Sequence, residues 1–189
     1  MAANHIKLGL DAERMSYYVI IRGPMASGKS TVAKSLARAL KAKYISMDRM
    51  LDKHHLTKDT ERGYVSQRSF RKANESSVPV AAKALERGGI VVFDGNFYWA
   101  SQIRDLIGRL HCPYFVFTLA APLRTCIKRD RRRRNSHGED AVRAVYKKSL
   151  QVRRGVRIDA SAPLAQIVSA IRSGLPGAVR RKMPKSKSL

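Results

Sequence analysis

Residues 23–31, with the sequence GPMASGKST, have the types and spacing of a phosphate-binding loop. Glycines let such a loop curl, so that successive backbone N–H groups point at phosphate oxygens. Its lysine, Lys29, is placed to reach the β- and γ-phosphates of a nucleoside triphosphate, and the Ser30 hydroxyl to ligate Mg²⁺. The residues expected to bind the nucleotide in this loop are Gly23, Ala26, Ser27, Gly28, Lys29, Ser30 and Thr31.

The segments on either side of the loop are those that such a loop needs. Residues 17–22, YYVIIR, form an apolar run typical of a buried strand. Residues 30–40 carry apolar side chains at helical spacing, which predicts an amphipathic helix. This context favours a nucleotide site over the alternative, a glycine turn in front of an ordinary helix.

Strand-like and helix-like segments alternate along the rest of the chain, which is typical of a parallel sheet. We therefore expect an α/β, three-layer fold with a five-stranded parallel sheet and helices on both faces. Asp48 and Asp94 each end a predicted strand, so both should lie near the loop, at the carboxyl edge of the sheet. The predicted strands are residues 17–22, 44–47, 90–94, 114–119 and 156–158. The predicted helices are residues 30–40, 66–86 with a break near Pro79, 101–110, 122–134, 139–152 and 163–172.

Length and composition favour a single intracellular domain. A chain of 189 residues suits one domain, which we place at residues 1–173, followed by a flexible basic tail at residues 174–189. Cys112 and Cys126 form no C-x-x-C pair, which argues against zinc or a disulfide framework. No secretory signal and no apolar run of about 18 residues is present, so we expect a cytoplasmic protein without a membrane partner.

The chain is strongly basic, with 38 Lys and Arg against 14 Asp and Glu and a net charge of +24. A surface of this kind is tolerable chiefly where a polyanion meets it, and the phosphate backbone of a nucleic acid is the usual polyanion in a cell. RNA or DNA is therefore the expected partner. The alternative is a small enzyme whose phosphate-rich ligands account for only part of the excess charge.

Three classes of protein share the loop: GTPase switches, ATP-hydrolysing motors and kinases. The guanine-reading N/T-K-x-D pattern is missing at the required place, which argues against a GTPase. Gly95 follows Asp94 where a motor ATPase usually has a water-polarising glutamate. Residues 128–134, KRDRRRR, could neutralise the charge of a phosphoryl group during its transfer and exclude water, as a kinase must. Phosphoryl transfer is thus favoured over hydrolysis.

These features together resemble the P-loop kinases of the adenylate-kinase-like group. Within it the chain is most similar to the family of 5′-hydroxyl polynucleotide kinases, zeta toxins and chloramphenicol phosphotransferases, over about residues 18–151. The similarity lies in the loop, in ISMD at residues 45–48, in VVFDGN at residues 91–96 and in the arginine run ahead of AVRAVY at residues 141–146.

The resemblance implies roles for residues outside the loop. Asp48 would be the general base that takes the proton of the acceptor hydroxyl, with a helix N-cap as its structural alternative. Asp94 would hold the water shell of Mg²⁺, unless it only caps a turn. Arg129 and Arg133, four residues apart, would project from one helix face of an Arg-rich lid at about residues 124–140. The implied catalytic residues are Lys29, Asp48, Arg129 and Arg133, and the implied metal residues are Ser30 and Asp94.

The sequence thus leads to an ATP- and Mg²⁺-dependent kinase whose acceptor is a hydroxyl of RNA or DNA, at the 5′ end. One alternative is a P-loop kinase for a nucleotide or another small molecule. Another is an RNA- or ribosome-binding factor that uses ATP as a switch. The residues of the 131–134 run that do not serve ATP would form a solvated face or grip phosphates of the acceptor. The sequence leaves the oligomeric state open.

Overall fold

A parallel sheet of five strands forms the centre of the computed structural model, which describes residues 16–176. The strands in chain order are β1 (Tyr17–Arg22), β2 (Lys43–Ser46), β3 (Thr60–Glu61), β4 (Tyr64–Val65), β5 (Ile90–Asp94), β6 (Tyr114–Ala120) and β7 (Val156–Asp159). The central sheet has the order β2-β5-β1-β6-β7, whereas β3 and β4 form a separate antiparallel hairpin. All five central strands run parallel, as the alternation of elements predicts.

Seven α-helices and one short 3₁₀ helix connect the strands of this described region. The helices are α1 (Lys29–Leu40), α2 (Met47–Lys53), α3 (Gln67–Glu86), α4 (Ala100–Leu110), α5 (Leu123–Arg131), α6 (Glu139–Leu150) and α7 (Leu164–Ser173), with the 3₁₀ helix at Leu56–Lys58. Within residues 16–176, none of these helices is long and apolar enough to span a membrane.

The sheet separates two apolar clusters, which confirms the three-layer prediction. Every residue of β1 is buried, because this strand lies in the middle of the sheet with helices on both faces. One cluster joins β1 to the apolar face of α1 and to α7, through residues such as Leu36 and Ile171. The other joins β1 and β5 to α2, α3 and α4, through residues such as Leu51, Phe70 and Leu106.

The buried guanidinium of Arg22 connects β1 to β6, to the segment after β5 and to the end of α6. Arg22, at the end of β1, is fully buried and donates to the carbonyl oxygens of Phe97, Ser149 and Val152 at 3.3, 3.0 and 2.7 Å. It also donates to Oγ1 of Thr118 at 3.0 Å. Burial lowers the pKa of Arg22 to about 10, so the side chain still carries its charge at neutral pH. Arg22 therefore fixes the C-terminal end of α6 against the strand that enters the loop.

The structure differs from the sequence prediction in three places. Helix α2 entered the sequence analysis only through the alternative in which Asp48 caps a helix, and the β3–β4 hairpin was not predicted. Helix α3 continues through Pro79 without a break, since its buried residues on either side, such as Ser77 and Ala81, hold it in place. Helix α5 ends at Arg131 rather than at residue 134, because the buried Asp130 accepts hydrogen bonds from the Ser136 hydroxyl and the His137 N–H and turns the chain.

The structure describes only part of the predicted basic tail but includes all residues of the segment predicted as an Arg-rich lid. Most of the predicted tail, residues 174–189, lies outside the described residues, and within its described part Leu175 packs into the core. The segment 132–138 joins α5 to α6 and carries part of the predicted Arg-rich lid. Closure of this segment over the site remains a prediction.

Candidate active site

The loop at residues 23–28 connects β1 to α1 through a tight turn that only particular residues permit. Gly23 has φ +145°, and a Cβ atom there would lie 2.6 Å from the carbonyl oxygen of Leu119. Gly28 caps α1 with φ +97°, and Ala26 also has a positive φ of 58°. The backbone N–H groups at the start of α1 are therefore directed into the crevice, where a phosphate would be stabilised by the helix N-terminus.

Lys29, the first residue of α1, lies at the bottom of this crevice. Its side chain is buried, and Nζ donates to the carbonyl oxygen of Pro24 at 2.7 Å. Burial lowers the pKa of Lys29, while the nearby carboxylates of Asp48 and Asp94 raise it and the charge of Arg133 lowers it. Lys29, Asp48 and Arg133 also line one cavity, so these charged groups belong to a single site.

Asp48 is the second residue of α2, and it does not cap that helix. The N-cap is Ser46, whose hydroxyl accepts from the N–H of Arg49 at 3.4 Å. The Asp48 side chain is exposed and lines the cavity. Loss of hydration within the cavity raises the pKa of Asp48, and the positive charge of Lys29 opposes the rise. The helix-cap alternative is therefore excluded, and the predicted role as a base remains open to Asp48.

Asp94 ends β5 and is buried. Its Oδ2 accepts from the Tyr44 hydroxyl at 2.8 Å, whereas Oδ1 has no hydrogen-bond partner among residues 16–176. An unpaired, buried carboxylate oxygen next to Lys29 is costly unless a further group meets it. Carboxylate oxygens and water are the ligands that Mg²⁺ prefers, so Asp94 and the exposed Ser30 fit the predicted magnesium site.

The two predicted lid arginines have different surroundings. Arg129 lies on α5 and donates to the carbonyl oxygens of Ser27 and Ala160 at 3.1 and 3.2 Å. Arg133 follows the end of α5, so the two side chains do not share one helix face. Arg133 lines the same cavity as Lys29, with Nη1 3.8 Å from Oδ1 of Asp130. In this structure Arg129 contacts the loop backbone, whereas Arg133 faces the crevice.

The rest of the arginine run points away from the crevice. Arg131 donates to Glu139 at 2.6 Å, and residues 131–134 are all exposed. The side chain of Arg131 is 70% exposed in this ion pair, so the pair adds little to stability. Arg131 is thus engaged with α6, on the surface of the molecule.

A cavity of about 530 Å³ joins the loop to Asp48 and continues beyond it. Its far wall is formed mainly by apolar and aromatic side chains from α2, α3, α6, β4 and the segment after β5. These residues are Leu51, Tyr64, Val65, Phe70, Tyr98, Ala141, Ala144 and Val145. A larger groove of about 940 Å³ lies beside α6 and β7, but its lining includes neither Lys29 nor Asp48. The smaller cavity therefore holds the lysine and the carboxylate of the predicted site.

The two aromatic residues after β5 have different surroundings, since Tyr98 borders the cavity and Trp99 packs in the core. Tyr98 lines the cavity, and burial raises its pKa above the ordinary range. Trp99 is 8% exposed, and its Nε1 donates to the carbonyl oxygen of Val65 at 2.9 Å. Trp99 therefore packs against the β3–β4 hairpin and helps to hold the cavity wall.

Sequence reasoning missed three residues of this site. Asp52 lies four residues after Asp48 on α2 and lines the same cavity, so the helical spacing would have found it once α2 was recognised. Tyr44 lies two residues before the end of β2, on the same side of the strand as Ser46. No signal in the sequence marks His137, which reaches the cavity only through the turn after α5.

With this geometry established, comparison with known proteins gives the family. A family model described as an AAA domain matches residues 19–156, well over half of the chain. The chain belongs to the AAA-domain family. This match supports the P-loop kinase part of the resemblance seen in the sequence and does not reach the narrower group of polynucleotide kinases, zeta toxins and chloramphenicol phosphotransferases.

Individual relatives are kinases of small molecules. A shikimate kinase of Corynebacterium jeikeium is 33% identical over 94 residues. The matched region covers 49% of this chain and 49% of the shikimate kinase, so the chain spans about half the length of this curated relative. A gluconokinase of Sinorhizobium meliloti has a TM-score of 0.67 at 19% identity and covers 89% of this chain and 94% of its own. The APS kinase of Mycobacterium tuberculosis has a TM-score of 0.60 at 17% identity, over 84% and 96% of the two chains. The two structural likenesses show a shared fold.

The prediction of a nucleic-acid acceptor and partner is wrong. The shikimate kinase that matches the chain in sequence is named for a small molecule, and the two similar structures described above are also named for small molecules. The excess of positive charge suggested RNA or DNA, but charge describes association with a surface and says nothing of what a cavity accepts.

Proposed function

We propose that this protein is an ATP-dependent phosphotransferase that transfers the γ-phosphoryl group of ATP to a hydroxyl group of a small molecule. The observation that carries the proposal is the single cavity that joins Lys29 and the phosphate-binding loop to Asp48 and to an apolar far wall. Its volume, about 530 Å³, is in the range of ordinary small-molecule sites.

The chain's own groups suit such a transfer. Asp48 accepts the proton of the acceptor hydroxyl as the hydroxyl oxygen bonds to the γ-phosphorus, and the bond from that phosphorus to the β,γ-bridging oxygen breaks to release ADP. Lys29 and Arg133 face the phosphates and balance the negative charge on the transferred group. Bound Mg²⁺ would neutralise further phosphate charge and orient the phosphates.

Arg129 acts on the site through the loop. Its guanidinium holds the carbonyl of Ser27 in the loop and the carbonyl of Ala160 after β7, so it links two segments that border the nucleotide. Because both acceptors are backbone oxygens, Arg129 supports the shape of the loop whether or not it also contacts ATP. This connection makes Arg129 a positioning residue in the present structure.

Transfer of label tests the proposal. The protein is incubated with γ-labelled ATP, Mg²⁺ and separate pools of hydroxylated small molecules and of 5′-hydroxyl RNA. We expect label in at least one small-molecule pool, and none in RNA. Label only in RNA, or no label in any pool, would contradict the proposal.

Asp48→Asn tests the role of the base in the same assay. The amide cannot take the proton, so transfer should fall by about 10²-fold or more, while ATP binding changes little. Asp140→Asn, at an exposed acid in the first turn of α6, is the matched control and should keep normal transfer. Transfer by Asp48→Asn within a few-fold of the original protein would show that Asp48 is not the base.

A further inference from the structure

We infer that the acceptor is an uncharged alcohol with a largely apolar body and a hydrogen-bond donor that meets Asp52, and not an anionic metabolite. The inference rests on the proposed function and names the substrate class of the same cavity. It follows from how charge is distributed along the cavity, from the loop at one end to the apolar wall at the other.

The positive charges of the cavity lie at its phosphate end. Of the described residues that line it, Lys29 and Arg133 are the only lysine or arginine side chains. Lys29 begins α1 at the phosphate-binding loop, and Arg133 lines the same cavity. In the proposed reaction both face the phosphates, which leaves neither to hold an anionic group of the acceptor at the far end.

The far end is apolar. Leu51 is 4% exposed, Phe70 2% and Tyr98 4%, and all three border the cavity beside Val65 and Val145. A carboxylate or phosphate placed against such a wall would lose its hydration without gaining a partner. A ring or an alkyl group would instead exclude water from the same surface.

Beyond the loop, two carboxylates and one imidazole, that of His137, line the cavity, so lysine and arginine charges are replaced there by acidic groups. Asp48 and Asp52 lie one helical turn apart on α2, and both line the cavity. The negative charge of each carboxylate makes binding of an anion beside it less favourable. The charge of Asp52 also contributes to the raised pKa of Asp48. Asp52 is exposed, so it can accept a hydrogen bond from a hydroxyl or amide N–H of the acceptor.

Lys148, which packs against the aromatic residues beside the cavity, is engaged elsewhere. Nζ of Lys148 lies 3.7 Å from the ring centroid of Trp99 and 5.4 Å from that of Tyr64, and Lys148 is not part of the cavity lining. These cation–π contacts hold the ammonium at the aromatic cluster. The cavity is thus poor in positive charge at its acceptor end, although the whole chain has a net charge of +24.

Two probes of nearly equal shape test this inference. 4-(Hydroxymethyl)benzamide is uncharged and 4-(hydroxymethyl)benzoate is an anion, and each carries one alcohol on an aromatic ring. Binding to the full chain with ADP and Mg²⁺ is followed by the fluorescence of Trp99, the single tryptophan of the sequence. Phosphorylation of each probe, and of shikimate and gluconate, is followed separately with γ-labelled ATP.

The amide should bind at least about tenfold more tightly than the benzoate, because only the benzoate meets the carboxylates as a like charge. Asp52→Lys should shrink this ratio to about twofold or reverse it, since it replaces the negative charge with a positive one. Glu86→Lys makes the same change in net charge at the opposite end of α3 from Phe70, about 24 Å away along the helix, and should leave the ratio unchanged.

The outcomes separate this inference from the proposed function. Tighter binding of benzoate, shikimate or gluconate than of the amide would overturn the inference, and so would a lack of binding by the amide. Phosphorylation of shikimate or gluconate in preference to the amide would do the same while leaving the kinase proposal intact. Selective binding of the amide without label in any alcohol would support the cavity's charge preference and count against the kinase proposal.

Discussion

At the scale of single residues, the site depends on three charged side chains that balance one another. Lys29 is buried and pairs with no carboxylate at salt-bridge distance in the described residues, yet Asp48 and Asp94 act on its pKa. Oδ1 of Asp94 has no hydrogen-bond partner in the described part of the chain. A site that keeps buried charges incompletely paired is arranged for a charged ligand, and the phosphates of ATP are such a ligand.

The pKa of Asp48 sets the expected pH dependence of transfer. The carboxyl must be deprotonated to accept a proton, and its pKa in the folded protein lies above the ordinary value of 3.8. The transfer rate should therefore fall as the pH decreases through a midpoint above 3.8, and it should be maximal above that midpoint. Initial rates measured across the acid range, with ATP binding checked at each pH, test this. A rate that does not change over this range would contradict the role of Asp48.

Gly23 gives a second prediction at this scale. A methyl group at this position would lie 2.6 Å from the Leu119 carbonyl oxygen, so Gly23→Ala should distort the loop and weaken ATP binding by about tenfold or more. Gly108 has an open environment in α4, and Gly108→Ala should raise stability by up to about 1 kcal/mol without affecting ATP. Calorimetric titration with ATP and thermal unfolding measure the two effects. Normal ATP affinity in Gly23→Ala would show that the close approach is not required.

At the scale of the elements, Arg22 connects the strand that enters the loop to the end of α6. Removing its side chain leaves buried oxygens of Phe97, Ser149 and Val152 without their donor. Arg22→Leu should therefore destabilise the protein by roughly 3–5 kcal/mol. Arg71→Leu, on the exposed side of α3, is the control and should change stability by less than about 0.5 kcal/mol. Denaturant unfolding measures both, and equal stability of the two variants would contradict the connecting role.

Local patterns in the sequence explain which elements could be predicted. Strand β1, the loop and α1 follow from a buried apolar run, a glycine-rich motif and helical spacing, all of which are local. Helix α2 has only seven residues, of which Met47 and Leu51 are buried, so it is too short to show a helical period. The end of α5 depends on Asp130, which turns the chain only because it is buried and accepts from residues beyond the helix.

The same limit applies to the candidate site. Lys29, Asp48 and Asp94 could be predicted to lie together because the carboxyl ends of parallel strands meet at one edge of the sheet. Asp52 and His137 could not, because the first depends on α2, which was not among the predicted helices, and the second on a non-helical turn. The interpretation of Asp48 as a helix cap is ruled out only by the observed cap at Ser46.

At the scale of the whole molecule, the net charge of +24 affects how ligands arrive. This charge misled the prediction of the acceptor, because the surface and the cavity differ in sign at the acceptor end. Electrostatic attraction should nevertheless speed the approach of ATP, an anion. The association rate constant of ATP should fall several-fold as ionic strength increases from about 0.01 M to about 0.15 M, where the Debye length shortens from about 30 Å to about 8 Å.

Stopped-flow measurement of ATP binding across this range tests the effect of charge. Uncharged adenosine is the control, since its association rate should be almost independent of salt. Equal salt dependence for ATP and adenosine, or none for ATP, would show that the surface charge does not steer the nucleotide.

The destination of the γ-phosphoryl group in a single turnover tests the central claim most directly. Excess protein is mixed with γ-labelled ATP, Mg²⁺ and a mixture of uncharged and anionic small-molecule alcohols, and the label is divided between phosphate esters and inorganic phosphate. The proposed function predicts that most label enters an ester, and that Asp48→Asn forms this product about 10²-fold or more slowly. Label recovered only as inorganic phosphate, with or without Asp48, would contradict the assignment as a small-molecule kinase.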